Sequence, residues 1–529
     1  MTAIDWGIIV VYIITLIGMS WRWGKGQANA EDYYVGGRKL PWPAVAISTM
    51  ATQTSAISFI SIPAYVALKQ GGGLSWIQYE LAVPLAMILV IAVLIPFFRQ
   101  LKLMTVYEYL EHRFGRGIRS LISAVFLISR GLSTGVAVYA AAIVLSVCLK
   151  QPIWFTILLM GVATIIYDTL GGMKAVVYSD VIQMSILVSG LFVCIAFAID
   201  HAGGLGSLLE QFPKERWTTL DFSSGLGDGS TTPFWAFLLG GFFLYASYYG
   251  VDQSQAQREL SAPSAQECRK SLVFNGIARF PLTLLYLALG ISAGAVYFLS
   301  PELQSVVPED RPDYLIPEFI LYKLPIGVRG LLVAALLAAA MSSLDSALNS
   351  LSAVTVRDFI EKYLHVSEKK LLVWSKLTTV FWGVFITGFA FIVGTISETV
   401  IEAINKIGSA FYGPILAAFL GGILLRRITM SGMIAGIIAG VGVNLFLWLA
   451  KAPIHWMWWN LFGCLTSLMV AWLLGLFSPA ASQKQVDSRF IIEWKALKKR
   501  ISRDRNTFYF LLLYFALIVI LAAAIKEAA

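Results

Sequence analysis

Two adjacent hydroxyls and a carboxylate stand in a stretch that is otherwise alanine, leucine and valine: Ser342, Ser343, Asp345 and Ser346 follow Ala338-Ala339-Ala340-Met341. Ser342 lies three residues before Asp345 and four before Ser346, so on a helix these side chains share one face. Hydroxyls, carboxylates and carbonyls freed where a helix unwinds are the oxygens that a hard cation such as sodium takes, and an apolar segment has few others to give. A lone serine in such a helix caps its own backbone or lets a neighbour pack closely. Two hydroxyls followed by a carboxylate read instead as a cation's donor set. An earlier apolar run opens with a second polar group, Thr49, Thr52, Gln53, Thr54, Ser55 and Ser58.

Beside Asp345, the charges within apolar runs to explain are Glu80, Arg130, Arg279 and Lys406. A charge at membrane depth is costly and marks function by default. Three cations against one carboxylate leave a positive surplus, which favours an anionic solute. The structural alternative is that Glu80 pairs with Arg279 or Lys406 to lock helices together, with Arg130 snorkelling from nearer an interface. Gln53, Ser55, Ser58, Gln78, Tyr245, Tyr249 and Asn275 supply hydrogen-bonding groups that suit sugar hydroxyls or a carboxylate equally. Trp76, Phe243 and Tyr248 could close a cavity around them.

The elements that must position these groups are membrane helices. Of 529 residues, 58% are hydrophobic and 13% charged, with a mean hydropathy of +0.74, a mixture that no soluble domain of this size could bury. Apolar runs long enough to cross a ~30 Å hydrocarbon layer recur throughout. Bounded by charge, Gly or Pro, they predict fourteen helices: 4–21, 43–68, 74–98, 120–149, 153–170, 176–199, 234–256, 271–299, 327–356, 371–394, 400–425, 429–450, 454–477 and 506–525. The first, carrying Asp5 and ending Trp21-Arg22-Trp23 without a small-residue cleavage site, reads as a retained helix. No soluble domain of useful length remains, so the chain is a single polytopic domain.

Assigning intervening segments alternately to two sides puts 28 of the 40 Lys and Arg residues on one side, in segments 22–42, 99–119, 171–175, 257–270, 357–376, 426–428 and 479–505. That side is expected to be cytoplasmic, with both termini outside. The net charge of +9 is explained by this bias at helix ends and needs no nucleic acid. Cys148, Cys194, Cys268 and Cys464 have neither CxxC spacing nor a histidine at ligand distance in sequence, so neither disulfides nor structural zinc are expected.

Five blocks carry a family resemblance: Glu31-Asp32-Tyr33-Tyr34-Val35-Gly36-Gly37-Arg38; the polar opening of the second helix; Thr169-Leu170-Gly171-Gly172-Met173-Lys174 through Asp180; Tyr248-Tyr249-Gly250-Val251-Asp252-Gln253 with Gln257-Arg258; and Ala338 through Ser346. Together, and in this order over nearly the whole chain, they resemble the sodium:solute symporter family of sodium/glucose, sodium/monocarboxylate, iodide and sialic acid carriers. The resemblance implies an all-α fold of the LeuT type, with two inverted five-helix repeats (43–199 and 234–425), a broken helix opening each, and alternating access around a central site. Residues 4–21 and 429–525 would then be peripheral. No repeat is legible in the sequence itself.

By the same resemblance, the co-transported sodium would sit on the Ser342 and Ser343 hydroxyls, the Ala339 carbonyl and the carbonyls of Ala51 and Thr54. A possible second cation would lie among Asp180, Ser342, Asp345 and Ser346, although Asp345 stands where a hydroxyl residue is usual. Glu80, Arg279 and Lys406 fall at positions resembling sugar contacts, Ser133 at one where sialic acid carriers keep an arginine, with Arg130 one turn before it, and Tyr248 at an inner gate. The reading is a sodium-coupled symporter in a plasma membrane, in a bacterium the inner one, importing a sialic acid-like or monocarboxylate solute; a neutral sugar is the alternative. A monomer suffices. No output region of kinase size follows the core, as a sensor would need, and no nucleophile or base constellation points to an enzyme.

Overall fold

A computed structural model of the chain describes residues 1–228, 231–364, 366–393, 400–477 and 490–528. Lys484, Arg489 and the final residue of the helix expected to reach 394 lie outside the described residues. Among the described residues the protein is helical, with one isolated bridge between Asp221 and Pro233. In chain order the main elements are α1 (Ala3–Gly24), the discontinuous pair α2 (Trp42–Gln53) and α3 (Ala56–Ala67), α4 (Leu74–Gln100), α5 (Arg116–Leu149), α6 (Ile153–His201), the discontinuous pair α7 (Gly241–Val251) and α8 (Gln253–Ser261), α9 (Ala265–Leu299), α10 (Val328–Val354), α11 (Glu368–Val393), α12 (Val400–Leu424), α13 (Met430–Leu449), α14 (Trp458–Leu476), α15 (Trp494–Arg503) and α16 (Arg505–Ala528).

Among the described residues eleven helices are long and apolar enough to span a bilayer, and α2 with α3, bent by 56° at their junction, make a twelfth. The difference from the fourteen expected lies in two places. Helix α6 runs on for 49 residues, about 73 Å at 1.5 Å per residue and more than twice a hydrocarbon core, but its backbone breaks at Gly172 (φ 54°, ψ −154°). Only glycine fits there, because a Cβ would lie 2.7 Å from the Tyr33 carbonyl oxygen. The run before Val251 is too short to qualify alone, because the chain leaves helical geometry at Asp252 (φ −72°, ψ 123°).

Helix α1 packs on α6 and α10. Its Asp5 accepts hydrogen bonds from the Gly327 and Gly330 amides at 2.9 and 3.0 Å, which satisfies donors at the start of α10 that have no partner inside that helix. Helix α10 is the core of the molecule: every residue from Gly330 to Val354 except Leu331 and Ser343 is buried. It packs against α2, α3, α5, α6 and α8.

Candidate functional site

The first break falls at Thr54 (φ −99°, ψ 88°) and Ser55 (φ −94°, ψ 169°), where neither glycine nor proline requires it. Side chains hold it open. The Thr54 hydroxyl donates to the Met50 carbonyl at 2.9 Å and accepts from Arg279 Nη1 at 3.1 Å, while the Tyr249 hydroxyl donates to Gln53 Oε1. Irregular backbone at this depth is tolerated where it is enclosed in protein or lines a cavity. A cavity of about 270 Å³ lies against this break. Thr52, Gln53, Ser55, Ser58 and Ser61 line it from α2 and α3, Ser343 from α10, and Arg130, Ser133 and Thr134 from α5. Glu80, Arg279, Tyr245, Tyr248, Tyr412, Trp76, Tyr79 and Trp456 complete much of the rest.

Ser343, of the serine pair, lines the same cavity as the break. Ser342 and Ser343 hydroxyls both donate to the Ala339 carbonyl, at 3.0 and 3.5 Å, and the Thr52 and Ser346 hydroxyls are 3.1 Å apart, bridging α2 to α10. Hydroxyls, a carbonyl and an unwound strand of backbone thus converge beside one cavity, the oxygen-only chemistry of a hard cation. Among the described residues no cluster of His, Cys, Asp and Glu forms a site of the transition-metal kind.

Two arginines enter the cavity with different partners. Arg279 holds Glu80 with two hydrogen bonds, Nη2 to Oε1 at 2.6 Å and Nε to Oε2 at 3.2 Å. Arg130 Nη1 lies 3.6 Å from Asp252 Oδ2, its Nη2 donates to the Ser254 hydroxyl at 2.7 Å, and its buried Nε has no partner. Its guanidinium also sits 5.9 Å from the centre of the Tyr248 ring, a cation–π contact. Asp252 caps α8 through the Ser254 amide at 2.8 Å, so the second break is built around a residue that is at once cap and counter-ion.

A profile of the sodium:solute symporter family matches residues 33–440, a span that holds both breaks, the serine pair and every polar residue of the cavity. The chain belongs to the sodium:solute symporter family. It is 30% identical over 449 residues to sodium-coupled monocarboxylate transporter 1 of Xenopus laevis, covering 83% of this chain and 70% of that one. To the sodium/sialic acid symporter NanT of Aliivibrio fischeri it is 28% identical, over 90% of this chain and 94% of NanT. A solved structure of a Na⁺-coupled sialic acid symporter, substrate-bound and outward-open, superposes with a TM-score of 0.80 at 25% identity, over 90% of this chain and 99% of that one. The protein is therefore a sodium-coupled symporter rather than an enzyme, a multi-pass membrane protein that carries sodium together with a small solute.

Of the residues expected at the symporter's solute site, Gln53, Ser55, Ser58, Glu80, Arg130, Ser133, Tyr245, Tyr248 and Arg279 line the cavity. Three do not. Gln78 is buried and turned to the segment before α7, donating to the Thr232 carbonyl at 2.7 Å and accepting from the Asp221 amide at 3.2 Å. Tyr249 reaches the site only through Gln53, and Lys406 on α12 is half-buried and not part of the lining. Asn275 is likewise withdrawn, donating to the Ala46 carbonyl at 3.1 Å. With Arg279 matched by Glu80 and Arg130 near Asp252, the expected surplus of three cations over one carboxylate is corrected to two arginines, each with an acidic partner.

The sequence reading missed Arg258. It is among the largest fully buried side chains of the described residues, and it donates to the Ser48 hydroxyl at 2.8 Å, to Asp180 Oδ2 at 3.3 Å and to the Ser346 hydroxyl. A guanidinium thus joins Asp180 to Ser346 where a second cation is expected, and Asp345 instead accepts a 2.5 Å hydrogen bond from Tyr167. The signal was present in the run Gln253 to Ser261, too polar for a membrane helix and too good a helix former for a loop. All nine of its residues are buried, a polar half-helix enclosed by protein.

Proposed function

We propose that the solute is a small organic anion, bound by the Arg130 guanidinium and the hydroxyls of Ser55, Ser58, Ser133 and Thr134. The observation that carries this reading is the state of Arg130 beside the cavity: hydroxyl partners in Ser254, Tyr248 and Tyr412, one carboxylate no closer than 3.6 Å, and a desolvated Nε–H without an acceptor. A solute carboxylate would satisfy that donor with charge-assisted hydrogen bonds that a neutral sugar cannot make. The monocarboxylate and sialic acid symporters to which the chain is similar support it.

One sodium rides at Ser342, Ser343 and the Ala339 carbonyl with the Ala51 and Thr54 carbonyls, in this proposal. A second ion among Asp180, Ser342, Asp345 and Ser346 would have to displace Arg258. Stoichiometry matters electrically. A monoanion carried with one sodium moves no net charge, so the membrane potential contributes nothing, whereas a second sodium adds ~2.3 kcal/mol per ~100 mV. The fourteen crossings and the 5+5 repeat belong to the same proposal, supported by the match between the two breaks: each opens its own five-helix set, α2 to α6 and α7 to α12. The basic bias supports a cytoplasmic side at the α8–α9 junction, both termini outside, and in a bacterium the inner membrane. Tyr248, beside the second break, is the inner gate.

Uptake into sodium-free proteoliposomes driven by external sodium, competed with monocarboxylates, sialic acids and neutral sugars, tests the reading. Carboxylates should compete, with a sodium Hill coefficient near one. A protein that accepts only neutral sugars would overturn the anionic assignment.

A further inference from the structure

The cavity has two kinds of lining. Arginines and hydroxyls supply one; the other is aromatic and rises from a segment that neither break contains. Trp76 and Tyr79, at the start of α4, stack with ring centres 4.2 Å apart and 22° between planes. Tyr79 continues to Trp456 at 6.2 Å, and both tryptophans and Tyr79 line the cavity. Trp456 lies on the turn between α13 and α14, outside both broken pairs, and is 5% exposed.

That turn is held rigidly. The His455 amide donates to the Leu226 carbonyl at 3.0 Å, and the Trp459 amide to the Trp456 carbonyl at 3.1 Å. The backbone comes so close to Gly240, just before α7, that a Cβ there would lie 2.3 Å from the Met457 carbonyl oxygen. A rigid indole is a surface for C–H and ring contacts, worth little to a two- or three-carbon acid that cannot reach it and much to a solute with an apolar face.

We propose that Trp456 is a specificity-determining residue of the solute site: with Trp76 and Tyr79 it forms an aromatic wall that selects a solute bearing a ring or branched hydrocarbon face in addition to its polar end. The carboxylate half of this solute rests on the anionic reading above; the aromatic half does not.

The test uses purified full-length protein and proteoliposomes with two pairs of probes, pyruvate against phenylpyruvate and glucose against phenyl glucoside, each as a competitor of sodium-driven uptake. The wild type should prefer the ring-bearing member of at least one pair. Trp456→Ala should reduce that preference about tenfold and Trp456→Phe to within about threefold of wild type, with sodium half-saturation within about twofold in both. If Trp456→Ala does not fold, Trp76→Leu should produce the same loss. A preference confined to the glucoside pair and lost in Trp456→Ala upholds the aromatic wall while refuting the anionic solute. Absence of any ring preference in the wild type, or a preference that survives in both variants, overturns the proposal.

Discussion

Arg279 and Arg130 line one cavity, yet one guanidinium grips a carboxylate with two hydrogen bonds and the other only approaches one. Arg279 places Nε and Nη2 on Glu80 and Nη1 on Thr54. Arg130 has a carboxylate at 3.6 Å, the Ser254 hydroxyl at 2.7 Å, the Tyr248 and Tyr412 phenols beside it and an idle Nε. With Glu80 held by two hydrogen bonds and Thr54 by a third, Arg279 has its charge matched and three of its five N–H groups engaged by the protein, so it is part of the frame. A loosely paired arginine has geometry to gain from a ligand. The pair rather than the residue type therefore separates structure from site, although both arginines looked alike as charges in apolar helices.

The sharpest way to break this comparison is to remove Arg279. Arg279→Gln leaves the Glu80 carboxylate, 3% exposed, without its cation, and losing one partner of such a pair costs about 3–5 kcal/mol. Thermal denaturation should show that loss, and Glu80→Gln combined with Arg279→Gln should recover most of it. A single variant as stable as wild type, with carboxylate affinity collapsed, would make Arg279 the solute's arginine after all.

His455, beside Trp456 in the turn before α14, carries the comparison to a buried group that stays neutral. It is 3% exposed, and burial pushes it down from 6.5 to about 4, with attraction from Asp228 offset by repulsion from Lys406. A folded value below the unfolded one means that the neutral ring's contribution is complete above pH 6.5 and is lost as pH falls towards 4. The loss is about 2 kcal/mol by pH 5 and about 3 kcal/mol by pH 4. Melting temperatures between pH 7 and 5 should fall further for wild type than for His455→Gln. Parallel curves would show that the ring charges without cost.

What was legible follows the range of each interaction. The helix face of Ser342, Asp345 and Ser346 could be read directly, because spacing of three and four residues fixes neighbours within a helix. Glu80 with Arg279 was foreseen only as an alternative, since 199 residues separate them in sequence. Gln78 and Lys406 were misassigned because composition shows that a polar residue is near mid-membrane but not the direction in which it turns. Arg258 was counted as a loop cation since half-helices buried in protein lack the apolar signal of a span. Trp456 was hidden in a helix expected from 454, whereas α14 begins only at Trp458. Its place on the cavity wall depends on how the α13–α14 turn meets α4 and α7, which no local pattern encodes.

Arg130 itself comes next in expected effect. Arg130→Gln removes a charge-assisted hydrogen bond worth about 1.5–3 kcal/mol, so the half-saturation concentration for a carboxylate should rise about 10- to 100-fold. A neutral analogue should lose far less. Equal losses for acid and neutral solutes, measured in the same proteoliposomes, would assign Arg130 to the frame with Arg279 and remove the main support for an anionic solute.

The smallest change expected probes the competitor. Asp252 Oδ1 accepts from the Ser254 amide and hydroxyl at 2.8 and 2.6 Å, which anchors α8, while Oδ2 faces Arg130. Asparagine is as good an N-cap as aspartate, so Asp252→Asn should keep the half-helix while removing the charge that shares Arg130. The arginine would then have no acidic partner before the solute arrives, and binding a carboxylate would relieve that deficit instead of competing with an existing contact. Half-saturation for carboxylates should fall about three- to tenfold, about 0.7–1.4 kcal/mol, with neutral analogues unmoved. Asp252→Ala, which loses the cap too, should lower transport of every solute together. If Asp252→Asn weakens carboxylate uptake as Arg130→Gln does, the two residues work as one closed pair, and the contrast between the arginines disappears.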